Sequence, residues 1–392
     1  MKFKLPFSGR AHSYDEIEIK TVVETMESAE PLTQGTHRNQ FEASFVNFQG
    51  GKGKAFAVGS ATDALEITAQ LCQFEHGDEF IIPAHTYTAS CYPFIKKGGT
   101  PVWADIDLET RVVTAETIEK CVTPKTKAIV VVHLYGYAAE IAPIIELAKS
   151  KNLTVIEDAA QAIGSIYKEN RVGSLADFGI FSFHSHKNMS TLGEGGMLWV
   201  NDSKIAEQIP LLRHNGHCDF DFEREDYWIP AMGNVDLPQL NGKTMMPNNY
   251  CLGEVQCALG QKLLERVDKI NSEKRRRALL FINELKNFPE IEFHKVENDR
   301  HNYHLLVAKL ANGKRNDFIR IMSKRFSIQC VVQYFPLNRY DLYAKLGYGN
   351  ADIPNTDNFF DNMVSFPFQQ TLTDSQLSYM IDSTQEVLQS FR

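Results

Sequence analysis

Val155-Ile156-Glu157-Asp158-Ala159-Ala160-Gln161 and Phe181-Ser182-Phe183-His184-Ser185-His186-Lys187-Asn188, the second followed by Gly193-Glu194-Gly195-Gly196, share one design. Each is a short apolar run that ends in residues able to do chemistry. The first brings a carboxylate, Asp158, to the end of a strand; the second brings a hydroxyl, Ser182, and then an amine, Lys187. Working outward, β-branched or aromatic runs recur at Ala55–Val58, Glu79–Ile82, Pro101–Ala104, Ala128–Val132, Thr154–Glu157, Gly179–Phe183 and Met197–Val200. Between the fourth and fifth runs, Ile141, Ile144, Ile145 and Ala148 fall on the single stripe of an amphipathic helix. Strands alternating with helices predict an α/β fold with a mostly parallel, doubly wound, seven-stranded sheet flanked by helices. Ligands of such sheets bind beyond the carboxyl ends of the strands, where Asp158 and Lys187 both fall.

An amine held at a strand end can form a Schiff base with a carbonyl cofactor, and a neighbouring serine can hold that cofactor's phosphate. A carboxylate at the next strand end could protonate a pyridine nitrogen. The two together suggest pyridoxal 5'-phosphate. Val58-Gly59-Ser60-Ala61-Thr62-Asp63-Ala64-Leu65 joins a strand to a helix, and its small residues let the backbone approach an anion drawn by the first-turn N–H groups. Ser60 and Thr62 also suit helix capping, which by itself would account for them. Tyr87, after Pro83-Ala84-His85-Thr86, is a candidate to stack on a flat ring, although a lone aromatic there also suits a core. No acidic ligand is apparent beside His184 and His186, so no metal is expected at that pair.

The chain's 392 residues allow two domains or one large α/β domain with an appendage. Hydrophobic content of 43%, charged content of 23% and a formal net charge of −8 are those of an ordinary soluble protein, with nothing that favours nucleic acid or an anionic membrane. The seven cysteines form no C-x-x-C pair and read as reduced thiols. Met1-Lys2-Phe3-Lys4-Leu5-Pro6 has no apolar signal region, and the run Ala128–Val132 is too short to span a bilayer, so a cytoplasmic location is expected.

Residues 217–249, with Trp228, Pro230 and Pro238, break the strand–helix rhythm and read as a lid or substrate loop. One long helix is expected from about Leu252 to Ile270. Beyond Asn271 the pattern becomes helix, strand (Tyr303–Lys309), helix and strand (Ile328–Gln333). The expected division is a large domain over 1–270 and a small C-terminal α+β domain over 271–392.

In this order, the segments resemble those of the DegT/DnrJ-type sugar aminotransferases, a branch of the fold type I pyridoxal phosphate enzymes, over nearly the whole chain. The resemblance implies a phosphate-binding turn at Ser60, Ala61 and Thr62, a ring-stacking Tyr87, and Asp158 on the pyridine nitrogen with Gln161 near the ring hydroxyl. It makes Ser182 a phosphate ligand and Lys187 the Schiff-base lysine. It further implies a homodimer with shared active sites, since Asn249 matches a residue that serves the neighbouring subunit's phosphate. The activity implied is transfer of an amino group from an amino acid, glutamate in relatives, to a sugar aldehyde or ketone in amino sugar biosynthesis.

Two departures bear on substrate: Cys251 follows Asn249-Tyr250 where the family often has arginine, and Gln333 precedes Tyr334-Phe335-Pro336 where it often has histidine. With Arg10 and His12 available to an anion, and His184 and Tyr334 on the expected substrate side, this pattern looks like the branch that aminates 8-oxo-3,8-dideoxy-octulosonate for lipopolysaccharide. The alternatives are a nucleotide-linked keto-hexose aminotransferase, a sugar 3-dehydratase, and a non-catalytic regulator that binds the cofactor. A dehydratase would carry histidine at position 187, and the intact Asp158/Lys187 pair argues against a regulator. A nucleotide-binding dehydrogenase would need a G-x-G-x-x-G turn, which the chain lacks.

Overall fold

The computed structural model describes residues 3–10, 12–221, 233–296, 298–311 and 313–392. Seven strands form the central sheet: β1 (Lys54–Val58), β2 (Glu79–Pro83), β3 (Thr100–Ala104), β4 (Thr126–Val132), β5 (Thr154–Asp158), β6 (Phe178–Ser182) and β7 (Gly196–Val200). Their spatial order is β1-β7-β6-β5-β4-β2-β3. Only β7 runs against its neighbours; the others are parallel to one another. The mostly parallel α/β sheet expected from the sequence is therefore present. Covered on both faces, its strands are almost continuously buried, which is why they read as unbroken apolar runs rather than alternating ones.

The helices include α1 (Glu16–Ser28) and, packed on the sheet, α2 (Thr36–Phe48), α3 (Ala61–Leu71) and α4 (Ile141–Lys151). In α4, Ile141, Ile144 and Ala148 are buried, the helix stops at a left-handed Asn152, and Lys149 and Lys151 lie at its negative end. The adjacent carboxylates at the end of β5 point to opposite faces of the sheet, as strand geometry requires. Glu157 turns into the protein and accepts N–H groups from Gly173 (2.8 Å), Leu175 (2.7 Å) and Ala176 (2.8 Å), with His133 Nε2 at 3.0 Å. It ties down the loop that feeds β6 and leaves Asp158 facing the other way.

The expected long helix is two helices, α5 (Glu254–Leu264) and α6 (Val267–Leu285). The chain bends at Arg266, whose guanidinium is drawn to Glu18 on α1 (Nη2–Oε2 2.8 Å) and to the Ser13 carbonyl (2.6 Å). α6 runs straight through position 270, so the backbone has no break at the expected domain boundary. A second hydrophobic cluster, with Phe281, Phe318, Phe366 and Met380 at its heart, gathers the C-terminal elements and also takes in Leu5. Its sheet consists of β8 (Ile291–Phe293), β9 (Leu306–Leu310) and β10 (Met363–Phe366), all antiparallel.

Two strand expectations need correction here. Ile328–Gln333 is not a strand: it makes one bridge to Leu5 and another, from Val331, to Ser365. Tyr303–Leu305 lies outside β9, because Asn302 and His304 are diverted into side-chain bonds described below. Residues 217–249 contain short two-residue pairings, His217–Cys218 with Asn234–Val235 and Gln239–Leu240 with Lys243–Thr244. Trp228 and Pro230 lie outside the described residues.

Candidate active site

The carboxyl ends of β1, β2, β5 and β6 all meet one edge of the sheet, and a cavity of about 430 Å³ opens there. Its wall gathers Ser60, Ala61, Thr62, Tyr87, Asp158, Gln161, Ser182, His184, Lys187 and Tyr334, which the sequence had scattered over 275 positions.

At one end, Ser60 caps α3 by accepting the Asp63 N–H (3.1 Å). The remaining first-turn N–H groups of this eleven-residue helix face an end where negative charge is favoured. Gly196 opens β7 opposite both Val58 and Ser182, so it lies between the Ser60 turn and the Ser182 hydroxyl. A Cβ on Gly196 would stand 2.4 Å from the Ser60 carbonyl carbon and 2.6 Å from the Ala61 nitrogen. Only glycine permits so close an approach. The result is an anion cradle made of backbone and hydroxyl groups. Burial raises the nearby Asp63 carboxyl to about 6, although its bonds with Ser60 oppose that rise.

At the other end, Asp158 is buried, and its Oδ2 accepts a hydrogen bond from Ser90 Oγ (2.6 Å) while its Oδ1 accepts the Ala160 N–H (3.1 Å). Ser90 also lies 3.1 Å from Thr86 Oγ1. Gln161 spans the wall, accepting the Tyr135 N–H at Oε1 (2.8 Å) and donating to the Tyr334 hydroxyl (3.2 Å). Tyr87 is 54% exposed, with its ring edge-on to Tyr334 at 5.8 Å, free to cover a flat ring placed between it and the floor.

Lys187 leaves a tight loop in which its N–H bonds the His184 carbonyl (2.9 Å) and Ser185 bonds Gly193 (3.0 Å). Burial lowers its amine to about 8, against the opposing attraction of the Asp158 carboxylate. An amine near neutrality is the nucleophilic form. His184 and His186 both line the cavity, 5.1 Å apart ring to ring. Contrary to the sequence reading, His184 does have an acidic neighbour, Glu194, with Nε2–Oε1 3.8 Å. Among the described residues, no group of three His, Cys, Asp or Glu side chains is arranged to hold a metal ion.

Three expected site residues are elsewhere. His12 is 2% exposed and packed on Arg266 (3.2 Å); burial first, then the Arg266 charge, lowers it to about 4, so it is neutral, and it is not among the lining residues. Arg10 is exposed and is not among the lining residues; Phe7 and Ser8 of the same strap reach the cavity instead. Asn249 is exposed, bridged to His214, and outside this cavity. Cys251 is likewise not a lining residue: it pairs with Val58 behind the cradle. Residues the sequence did not single out, notably Ser90, His304, Leu305, Phe368 and Gln369, complete the wall.

Comparison with known proteins completes the picture. The family model described as the DegT/DnrJ/EryC1/StrS aminotransferase family matches residues 12–385. The chain belongs to that family. The aminotransferase is 32% identical to the spore coat polysaccharide biosynthesis protein SpsC of Bacillus subtilis, across 99% of this chain and 97% of the relative. It is 31% identical to a GDP-perosamine synthase of Caulobacter vibrioides, across 97% and 98%. Its fold superposes with a TM-score of 0.88 on Helicobacter pylori PseC, an aminotransferase of pseudoaminic acid biosynthesis, at 26% identity and full coverage of both chains. Streptococcus pneumoniae Spr1654, solved in PLP and PMP forms, is also 26% identical, with a TM-score of 0.85 for the PMP form, which covers 99% of this chain and 100% of that one.

The aminotransferase is thus a sugar transaminase whose cofactor is pyridoxal phosphate. The cavity suits that group: an anion cradle, a carboxylate and a partly covered amine line one space. Among the described residues, no helix is long and apolar enough to cross a membrane.

Proposed function

We propose that the chain transfers an amino group from an amino acid, with glutamate the donor expected, to the terminal aldehyde of 8-oxo-3,8-dideoxy-octulosonate, forming an 8-amino sugar acid for lipopolysaccharide. The observation that carries this reading is the size and lining of the cavity. At about 430 Å³ it lies toward the small end of the ~300–1,000 Å³ usual for small-molecule sites, and it must hold the cofactor as well. Within one chain, that leaves room beside the cofactor for a compact acceptor. Gln333 stands in the wall with its side-chain oxygen unpartnered within the protein, and His184 and His186 offer donors to a carboxylate.

When bound, the cofactor supplies an electron-accepting ring conjugated to the carbon that gains or loses nitrogen. In this reading Asp158, fixed by Ser90 and the Ala160 N–H, holds a proton on the ring nitrogen. The Lys187 amine carries the proton between the substrate carbon and the cofactor's C4′. Ser60, Thr62 and Ser182, with the first turn of α3, bind the phosphate. Tyr87 covers one ring face, while Tyr334 and Phe368 limit water.

The same reading includes a homodimer with shared sites. Asn249 is exposed and outside its own cavity, and α1 leaves Ile17, Ile19, Val23 and Met26 exposed, the kind of apolar patch that a partner covers.

A second reading, a nucleotide-linked keto-hexose as acceptor, is supported by near full-length similarity to two GDP-perosamine synthases, 31% and 30% identical. One experiment separates the two. The enzyme is loaded as the pyridoxamine form, each acceptor is added alone, and the absorbance of the lysine-linked cofactor is followed. Its return with the 8-oxo sugar acid is expected. Return only with a nucleotide-linked 4-keto sugar would move the assignment to the second reading.

A further inference from the structure

The segment ahead of α1 is a strap tied down at both ends. At one end Lys4 and Leu5 donate their N–H groups to the Ser327 carbonyl (2.9 and 3.1 Å), and the Leu5 carbonyl accepts the Gln329 N–H (2.9 Å). Leu5 is 1% exposed within the second hydrophobic cluster, and Lys4 Nζ sits 3.5 Å over the Tyr379 ring. At the other end the Tyr14 hydroxyl donates to the Ser190 carbonyl (3.0 Å) and accepts the Leu192 N–H (3.2 Å), both in the loop that carries Lys187. Arg266 holds His12 and the Ser13 carbonyl beside it. The strap thus joins the C-terminal elements to the Lys187 loop.

Between the two anchors, Phe7 and Ser8 enter the cavity wall. Neither is loose. The Phe7 N–H donates to Gln329 Oε1 (3.0 Å), and its half-buried ring packs against the main hydrophobic core. Ser8 Oγ is taken up by the strap itself, accepting the Arg10 N–H and donating to the Arg10 carbonyl, both at 3.0 Å. Gly9 then passes beside His186, where a Cβ would stand 3.4 Å from Nε2.

The chemistry of this stretch of wall differs from that of the cradle, Asp158 and Lys187, which offer charge and hydrogen bonds. The strap offers a flat apolar ring and a hydroxyl turned to its own backbone. A dicarboxylate amino acid gains little from such a surface, because its charged ends must stay paired or in water. A sugar chain carries C–H groups between its hydroxyls, and those pack on the face of an aromatic ring. In a sugar transaminase the substrate with that character is the acceptor.

We propose that Phe7 is a specificity-determining residue for the acceptor: its ring, held in place by the strap, packs on the carbon chain of the sugar. The proposal deepens the function proposed above and rests on that reading for the identity of the acceptor.

The test uses the full-length enzyme loaded as the pyridoxamine form. Return of the lysine-linked cofactor absorbance is followed in single turnovers over a range of 8-oxo-3,8-dideoxy-octulosonate concentrations, giving an apparent Kd and a limiting rate. Glutamate added to the pyridoxal form gives the same two quantities for the donor. In Phe7→Ala the apparent Kd for the sugar should rise about tenfold, the loss expected for part of an aromatic contact, with the limiting rate unchanged. The glutamate values should match those of wild type. Phe7→Leu keeps the bulk but not the flat face, and should show a smaller rise in the same quantity.

A purely structural Phe7 would behave otherwise. Either the two half-reactions would weaken together, with lower cofactor affinity and a lower thermal midpoint, or the apparent Kd for the sugar would not move; each result overturns the proposal. If Phe7→Ala lacks the native circular dichroism, Phe7→Leu decides on the same terms: a rise confined to the sugar upholds the contact, and an unchanged or shared effect overturns it. The acceptor reading fails separately. If wild type responds only to a nucleotide-linked 4-keto sugar, Phe7→Ala is measured on that sugar, where a raised apparent Kd upholds the contact and an unchanged one overturns it.

Discussion

Lys187 and Asp158 divide one task between an amine and a carboxylate, and their surroundings suit each to its part. Lys187→Ala removes anchor and proton carrier together, so amino transfer should fall by at least the ~10²–10⁴-fold typical of losing a general acid–base group. Borohydride should then fix no cofactor to the protein, read by mass spectrometry. Ser90→Ala is subtler. It strips Asp158 Oδ2 of its 2.6 Å donor, and a hydrogen bond to a charged group is worth about 1.5–3 kcal/mol. Cofactor affinity should drop by roughly 10- to 100-fold, measured by equilibrium titration, with the fold unchanged by circular dichroism. Both cofactor residues were visible in the sequence because each ends an apolar run. Ser90 was not, since a serine inside Thr88-Ala89-Ser90-Cys91 has no pattern to distinguish it; only the turn after β2 brings it to Asp158.

Among the elements, the turn from β1 into α3 and the start of β7 make the cradle together. Gly196 is the contact between them. Gly196→Ala sets a methyl against backbone atoms that cannot swing aside, so both stability and phosphate binding should suffer. Overpacking of this kind costs about 1–3 kcal/mol. A lowered thermal midpoint with weaker cofactor binding is the expected result; wild-type values for both would show that β7 can shift to make room. The strands and the α4 stripe were legible because period and burial go together in a sheet covered on both faces. The bend at Arg266 was not. An apolar pattern continues across it, and its cause is Glu18, some 250 positions away. For the same reason Ile328–Gln333 read as a strand: its residues suit one, but among the described residues its backbone forms just two isolated bridges, to Leu5 and to Ser365.

Across the whole molecule, buried histidines tie stability to pH. Burial lowers His12 and His85 to about 4 and His301 to about 3, from an ordinary value of 6.5. The unfolded chain therefore binds protons that the folded chain refuses, and the stability these groups support, complete above pH 6.5, is lost as pH falls towards 4. The thermal midpoint should decline steeply through that window, and His85→Gln should flatten part of the decline. At the same scale, mixing Lys187→Ala and Asn249→Ala variants should restore activity if the sites are shared, because mixed dimers would hold one intact site. No recovery after subunit exchange would place Asn249 outside the partner's site.

The sequence by itself determined the α/β sheet and the order of the cofactor segments, because strand periodicity and strand-end chemistry are local properties that survive without coordinates. It also carried the family resemblance, since those segments keep their order along the chain. Tertiary structure alone decided that His12 is buried against Arg266, that Phe7 and Ser8 rather than Arg10 reach the cavity, and that Ser90 bonds Asp158. Each of these depends on which distant segments pack together, and burial and charge environment come into being only with that packing.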